Sequence, residues 1–356
     1  MLVPFYDLWS ITSRPARGLF PALRTTYRSA GRGTAEDLLE AFICDMDHIQ
    51  CDDQHVLLRQ RTLRAVRIGR YAKDALASAN AAGSVVSTFR RGVNVRITLP
   101  QRTVIVPFQT ADVAFHPWAV EVQTALLTDP VSASPHAISD SAIGPRQRES
   151  DTITLRAPGH DIEVDLGMVV SFPLLITPFD AWGADRARQI APRVQKRIRA
   201  KINDSPASSV REPLDKPIES ILASWQTRDD TTALLDLVGL GSGATPNGDD
   251  LLVGTLAALH AWKLQAARAN QLLTFLRERL PSTTHNTTTL SRQMIAAACD
   301  GAFAEPLVEL IDATASARMG DLPLEVAISR VSSLGHRSGM YLLVGVLLGL
   351  DHVCTP

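Results

Sequence analysis

The stretch Gly239-Leu240-Gly241-Ser242-Gly243-Ala244-Thr245-Pro246-Asn247-Gly248-Asp249-Asp250 gathers residues suited to chemistry. Four glycines in ten residues cost backbone entropy on folding. Such a loop is worthwhile where the chain must turn sharply or approach another group closely. The apolar run LLVGTLAALHAW follows and reads as a helix. A glycine loop feeding a helix N-terminus presents free N–H groups and a partial positive charge, which suit phosphate or carboxylate. It lacks the Lys-Ser/Thr ending of a P-loop, and its third glycine comes one place early for GxGxxG. Asp249 and Asp250 admit two readings. They could cap the helix and offset its dipole together with Asn247. Alternatively, they could serve catalysis as a proton acceptor or hold Mg²⁺ through their oxygens.

A second loop, Leu334-Gly335-His336-Arg337-Ser338-Gly339, precedes a similar helix. Aligning Gly248–Leu256 with Gly339–Leu347 matches six of nine residues. If this is an internal repeat, two loop-helix units are related by pseudo-symmetry, and Gly254 and Gly345 let their helices meet closely. The two loops would then share an anion pocket. The first supplies Gly241, Gly243, Thr245, Asn247, Gly248 and the two carboxylates; the second supplies His336, Arg337, Ser338 and Gly339. An Arg fork binds phosphate or carboxylate bidentately, and His336 joins the acids as a catalytic candidate. Between the loops runs Ser282-Thr283-Thr284-His285-Asn286-Thr287-Thr288-Thr289-Leu290-Ser291, more hydroxyls than one helix cap needs. Thr288 is taken as a substrate-binding candidate, against a plain polar loop. Asn94, just past Gly92, is either a turn residue or a further substrate contact.

Period-two patterns over Val85–Phe89, Val93–Leu99, Thr103–Phe108, Thr152–Leu155, Ile162–Leu166 and Met168–Ile176 predict strands of an antiparallel sheet or small barrel. From Asp185 the period becomes helical. Ile190, Val194, Ile198 and Ile202 form one stripe, and the Arg and Lys around them form a solvated face or a dock for an acidic partner. Further helices are predicted over 250–267, 270–280, 289–301, 304–317, 322–332 and 338–350. The fold class is therefore α+β. The expected organisation is an irregular extension (1–33), a β-rich domain with flanking helices (34–203) whose residues 130–150 form a long loop, a linker (204–231) and a helical domain (232–356). A helix start is expected at Thr34.

The 356 residues carry 36 basic and 37 acidic side chains, which argues against non-specific nucleic-acid binding. Four scattered cysteines fit no zinc module and suit a reducing compartment. No HxxxH pair or GxSxG elbow occurs. The Leu342–Leu350 run is too short to cross a bilayer, so a cytoplasmic protein without membrane partners is expected.

The block GLGSGATPNGDDLLVG resembles the signature of a bacterial family that includes AllH, a subunit of oxamate carbamoyltransferase in allantoin breakdown. Gly239, Gly241, Thr245, Pro246, Gly248, Asp249, Asp250, Leu252 and Gly254 carry the likeness. VVSTFRRGVNV, TTTLSRQMIAAACDGAF and LGHRSGMYLLVGVLLGL resemble its other blocks. Ser242, Ala244, Asn247 and Met340 depart from its usual residues. The resemblance implies a share in converting oxalurate and phosphate to oxamate and carbamoyl phosphate, within a hetero-oligomer containing other carbamoyltransferase subunits. The open alternatives are a non-catalytic anion-binding or scaffold subunit, and a stand-alone enzyme acting on another small carbamoyl or carboxylate compound.

Overall fold

The computed structural model describes residues 62–78, 82–89, 91–123, 152–157, 160–203, 216–228, 230–316 and 322–354. The expected extension, the helix start at Thr34 and the 130–150 loop lie outside these residues. Eight strands form one sheet: β1 (Thr62–Gly69), β2 (Ala82–Phe89), β3 (Gly92–Thr98), β4 (Thr103–Gln109), β5 (Val120–Gln123), β6 (Thr152–Ala157), β7 (His160–Asp165) and β8 (Val170–Phe172). Their order is β2-β3-β4-β5-β1-β7-β6, with β8 also on β1. The sheet curls until β2 and β6 approach each other.

Alternation explains the strands that were expected. Val93, Val95 and Ile97 on β3 and Val104, Val106 and Phe108 on β4 are buried, while Arg96 and Thr98 face outward. The sheet is not purely antiparallel, which corrects that expectation. β1 runs parallel to β7 and β8, and β4 runs parallel to β5. A residue period announces a strand but says nothing of which strand it meets. β1 itself is hidden by a register shift between Ala65 and Arg67, which breaks the alternation a sequence reading depends on. Of the Met168–Ile176 run, only Val170–Phe172 is strand.

The helices among the described residues are α1 (Arg70–Leu76), α2 (Ala181–Asn203), α3 (Lys216–Arg228), α4 (Asn247–Trp262), α5 (Ala267–Thr283), α6 (Thr289–Cys299), α7 (Glu305–Ser316), α8 (Leu322–Ser332) and α9 (Ser338–Cys354). The α+β class holds. α3 occupies a stretch read as linker, and it buries Ile218, Leu222 and Trp225 in the helical core. Pro217 misleads there because it sits in the first turn, where a missing N–H costs nothing. The charged face of α2 is laced with ion pairs inside the chain: Arg188 with Asp185 (2.7 Å), Arg197 with Glu325 (3.0 Å) and Arg199 with Asp351 (3.4 Å). No helix among the described residues is long and apolar enough to cross a membrane.

At the centre, α4 and α9 lie side by side. Every residue of α4 is buried, Asn247, Asp249, Asp250, Thr255 and His260 included, so the helix is enclosed on all sides rather than striped. A Cβ on Gly254 would collide with the Leu342 carbonyl, and one on Gly345 with the Leu251 carbonyl. In the repeat, Leu251 corresponds to Leu342 and Gly254 to Gly345, so the two contacts are reciprocal. At both helix heads the first glycine N–H turns back to its own preceding loop. The Gly248 N–H donates to Leu240 O at 2.8 Å, and the Gly339 N–H donates to Leu334 O at 2.9 Å. The repeat is thus a pseudo-twofold pair of parallel helices whose N-termini open at one end.

The sheet is joined to this core through α6. The Gln293 amide accepts from Ile105 N (2.6 Å) and donates to Ile105 O (2.9 Å), while the Trp118 indole donates to Gln293 O (3.2 Å). Ala297 and Ala302 complete the apolar layer under the sheet.

Gly345→Ala should destabilise the chain by about 3 kcal/mol or more, because overpacking here pushes on backbone. Gly243→Ala, with open space around it and φ of +102°, should cost only about 1 kcal/mol of backbone strain. Denaturant unfolding of both variants checks this ranking, and equal losses would contradict the close helix contact.

Candidate functional site

The heads of α4 and α9 meet. Thr245 Oγ1 and Ser338 Oγ are hydrogen-bonded at 2.9 Å, so the two glycine loops adjoin. Loop residues 241–244 are exposed. Gly241 holds φ of +114°, which a side-chain-bearing residue rarely adopts, and it presses against Asn247. A groove of about 490 Å³ lined by Thr177, Asp180, Trp182, Arg186 and Asp312 lies at the start of α2, away from the loops.

The two adjacent acids have separate fates. Asp249 is spoken for: one oxygen accepts from the Gly239 N–H at 2.7 Å and the other from the Thr287 hydroxyl. It ties the loop start to the Ser/Thr-rich turn before α6. Thr288 reinforces that tie, since its hydroxyl donates to Ala244 O (2.6 Å) while capping α6 through the Ser291 N–H (3.1 Å). Arg292 steadies the same turn through Thr284 O (3.0 Å).

Asp250 is 1% exposed. Thr245 and Ser338 stand close enough to favour its ionised form. They are bonded to each other, however, and neither Asp250 oxygen has a hydrogen bond of normal geometry. Burial pushes its carboxyl up to about 7, with the neighbouring Asp249 charge adding to the rise and the two hydroxyls opposing it. A carboxylate with both oxygens orphaned this deep is costly unless something else meets it.

Arg337 donates to the Tyr341 hydroxyl at 3.0 Å, and its Nε is buried without a partner. His336 is exposed on the turn. Tyr341, which was not anticipated, holds the repeat position equivalent to Asp250. Its spacing of four from Arg337 on a helical pattern is the signal that could have found it. Thr287 was likewise one hydroxyl among many until its partner was known. Asn94 lies on β3 and its amide donates to Ser87 at 2.9 Å, a bond that stays within the sheet. No group of three or more His, Cys, Asp or Glu able to hold a metal occurs among the described residues. With Asp249 engaged, any Mg²⁺ here would rest on Asp250 and the hydroxyls.

The raised Asp250 carboxyl makes a stability prediction. Folding favours its protonated form, so its contribution is complete below about pH 4 and is lost as pH rises towards 7. The isosteric Asp250→Asn removes that loss. Its stability relative to wild type should rise by about 2–3 kcal/mol between pH 5 and pH 7.5, at about 1.4 kcal/mol per pH unit. Thermal unfolding across this range is the check, and a difference independent of pH would contradict the buried-acid assignment.

Neither a curated protein nor a solved structure matches the chain. Residues 237–350 do match a family model described as oxamate carbamoyltransferase subunit AllH. That span contains both glycine loops, the helix pair and Asp250. Residues 237–350 are thus similar to that family's model.

Proposed function

We propose that this chain is a subunit of an oxamate carbamoyltransferase-like enzyme, with small anionic reactants held at the joined heads of α4 and α9. The observation that carries this reading is the orphaned Asp250 carboxylate beneath the Thr245–Ser338 bridge. A buried acid with no partner, placed where two helix N-termini converge, marks a place built to receive something. The family description agrees with that chemistry.

In the reaction, a phosphate oxygen attacks the carbamoyl carbon of oxalurate. The bond from that carbon to the leaving amide nitrogen breaks, and the phosphate proton ends on that nitrogen, giving oxamate and carbamoyl phosphate. All four species are anions. The helix N-termini, the loop N–H groups and the Arg337 fork would orient them and stabilise charge at the transferring group. Asp250, titrating near neutrality, suits passing the proton between the reactants. Entry requires the Thr245–Ser338 bridge to part. Gly241 and Gly243 give the loop the backbone freedom for that movement.

The test is carbamoyl phosphate formation from oxalurate and orthophosphate by the complete subunit assembly. Arg337→Ala should raise the phosphate KM about tenfold or more. Asp250→Asn should lower turnover about 100-fold while phosphate affinity stays within about threefold. No effect of either variant would refute the placement of the reactants. Equal loss of binding and turnover in Asp250→Asn would favour a binding subunit over a catalytic one.

A further inference from the structure

Among the described residues, seven large apolar side chains are exposed, and four of them, Met168, Val170, Leu175 and Trp182, fall within residues 168–182. That stretch runs from β8 to the head of α2. Ile176 is buried between Leu175 and Thr177, so these two neighbours on extended chain face outward together. Trp182 is 65% exposed and stands in the groove of about 490 Å³ at the start of α2. The Arg186 guanidinium lies over its ring at 4.6 Å. Leu264, also exposed, sits on the turn after α4, and Gln265 ties that turn to the same stretch through Phe179 O (3.3 Å). Apolar groups concentrated this way on a surface mark a place that another molecule covers.

Charge selects the occupant. Asp180, Asp312 and Arg186 line the groove, two carboxylates to one guanidinium. Asp180 gives one oxygen to the Gly183 N–H (2.6 Å), and neither acid has an ion pair among the described residues. Partial burial and the nearby Glu309 charge push the Asp312 carboxyl up, and an arriving cation would reverse that. A second copy would set the same acids on both sides of a twofold contact, so a different chain bearing a basic side chain is the better match. Thr177, Asp180, Trp182 and Asp312 are all exposed, unlike the enclosing walls of a small-molecule pocket. Resting on the reading of this chain as an enzyme subunit, we propose that the groove at the head of α2 is the docking surface for another subunit, which sets a Lys or Arg beside Asp180 and Asp312 and lays apolar side chains on Trp182. A Trp with a stacked Arg at the centre of such a patch is the kind of pair that carries most of an interface's affinity.

The test titrates the full chain with the other subunits of the assembly, purified together without it, and reads complex formation by light scattering. Trp182→Ala should weaken binding about 30-fold. Asp312→Lys should weaken it about tenfold and leave it less sensitive to added salt than wild type. Both side chains are exposed, so both variants should keep the wild-type circular dichroism and thermal midpoint. Leu322→Ala, at a residue 74% exposed on α8, is the control and should bind within about threefold of wild type. Wild-type affinity in both groove variants overturns the inference, as does equal weakening by Leu322→Ala. A chain that pairs with itself when alone, and loses that pairing in Trp182→Ala, overturns the choice of occupant. If the assembly docks through Trp182 yet makes no carbamoyl phosphate from oxalurate, the proposed reaction falls and the interface stands. If the wild-type chain does not bind the other subunits, both fall.

Discussion

Two helices can run parallel with their backbones in contact only where neither places a side chain at the crossing. Gly254 and Gly345 meet that condition reciprocally, each lying against the other helix's carbonyl. Much else depends on this contact. It sets the distance between α4 and α9, and through it the distance between their heads. A larger residue on either side would push the helices apart and take Thr245 out of reach of Ser338. The site is thus determined some two turns away, by packing rather than by any residue within it.

Parallel neighbours bring two positive helix ends together, an arrangement that is unfavourable unless negative charge lies nearby. The chain supplies two acids in the first turn of α4 and none in that of α9. Asp249 offsets part of the field while also bracing the loop through Gly239 and Thr287. For Asp250, equally buried, desolvation outweighs the help it gets from the hydroxyls and holds its titration near neutrality. The same field that favours its ionised form also favours an anionic ligand beside it. The site therefore combines a charged frame with one unsatisfied acceptor, a destabilising feature of the kind that function often retains.

The sheet acts on the site at a distance. Gln293 plugs the backbone of β4 at Ile105, which fixes where α6 stands and hence where Thr287 and Thr288 sit. A second joint lies at Arg67 on β1, which bonds Glu121 (3.2 Å) and Glu305 (2.5 Å) and is flanked by the rings of Phe115 and Phe172. Glu305 begins α7, so this ion cluster links the sheet to the helical core. Breaking one partner of so shielded a group costs more than the pair itself contributes.

Local information reached far along this chain. Periods of two and of about four located β2, β3, β4, β6, β7 and most helices, because the alternation of apolar residues records which side is buried. The internal repeat was readable as well, since steric demands at a helix crossing leave glycines at matching positions. Pairing was not readable: the parallel partners of β1, the helix across the Pro-rich stretch at 216–228 and the bulge at Ala65/Arg67 follow from what packs nearby. The adjacent acids make the point most sharply. Asp249 and Asp250 are equal as letters and neighbours in a helix turn, yet one accepts from a loop N–H and a hydroxyl while the other has no hydrogen bond of normal geometry. Residue types and spacing alone determined that carboxylates, glycines and an Arg would stand at two related helix starts. Only the tertiary structure decided which carboxylate is satisfied, because the donors that satisfy it come from segments tens of residues away.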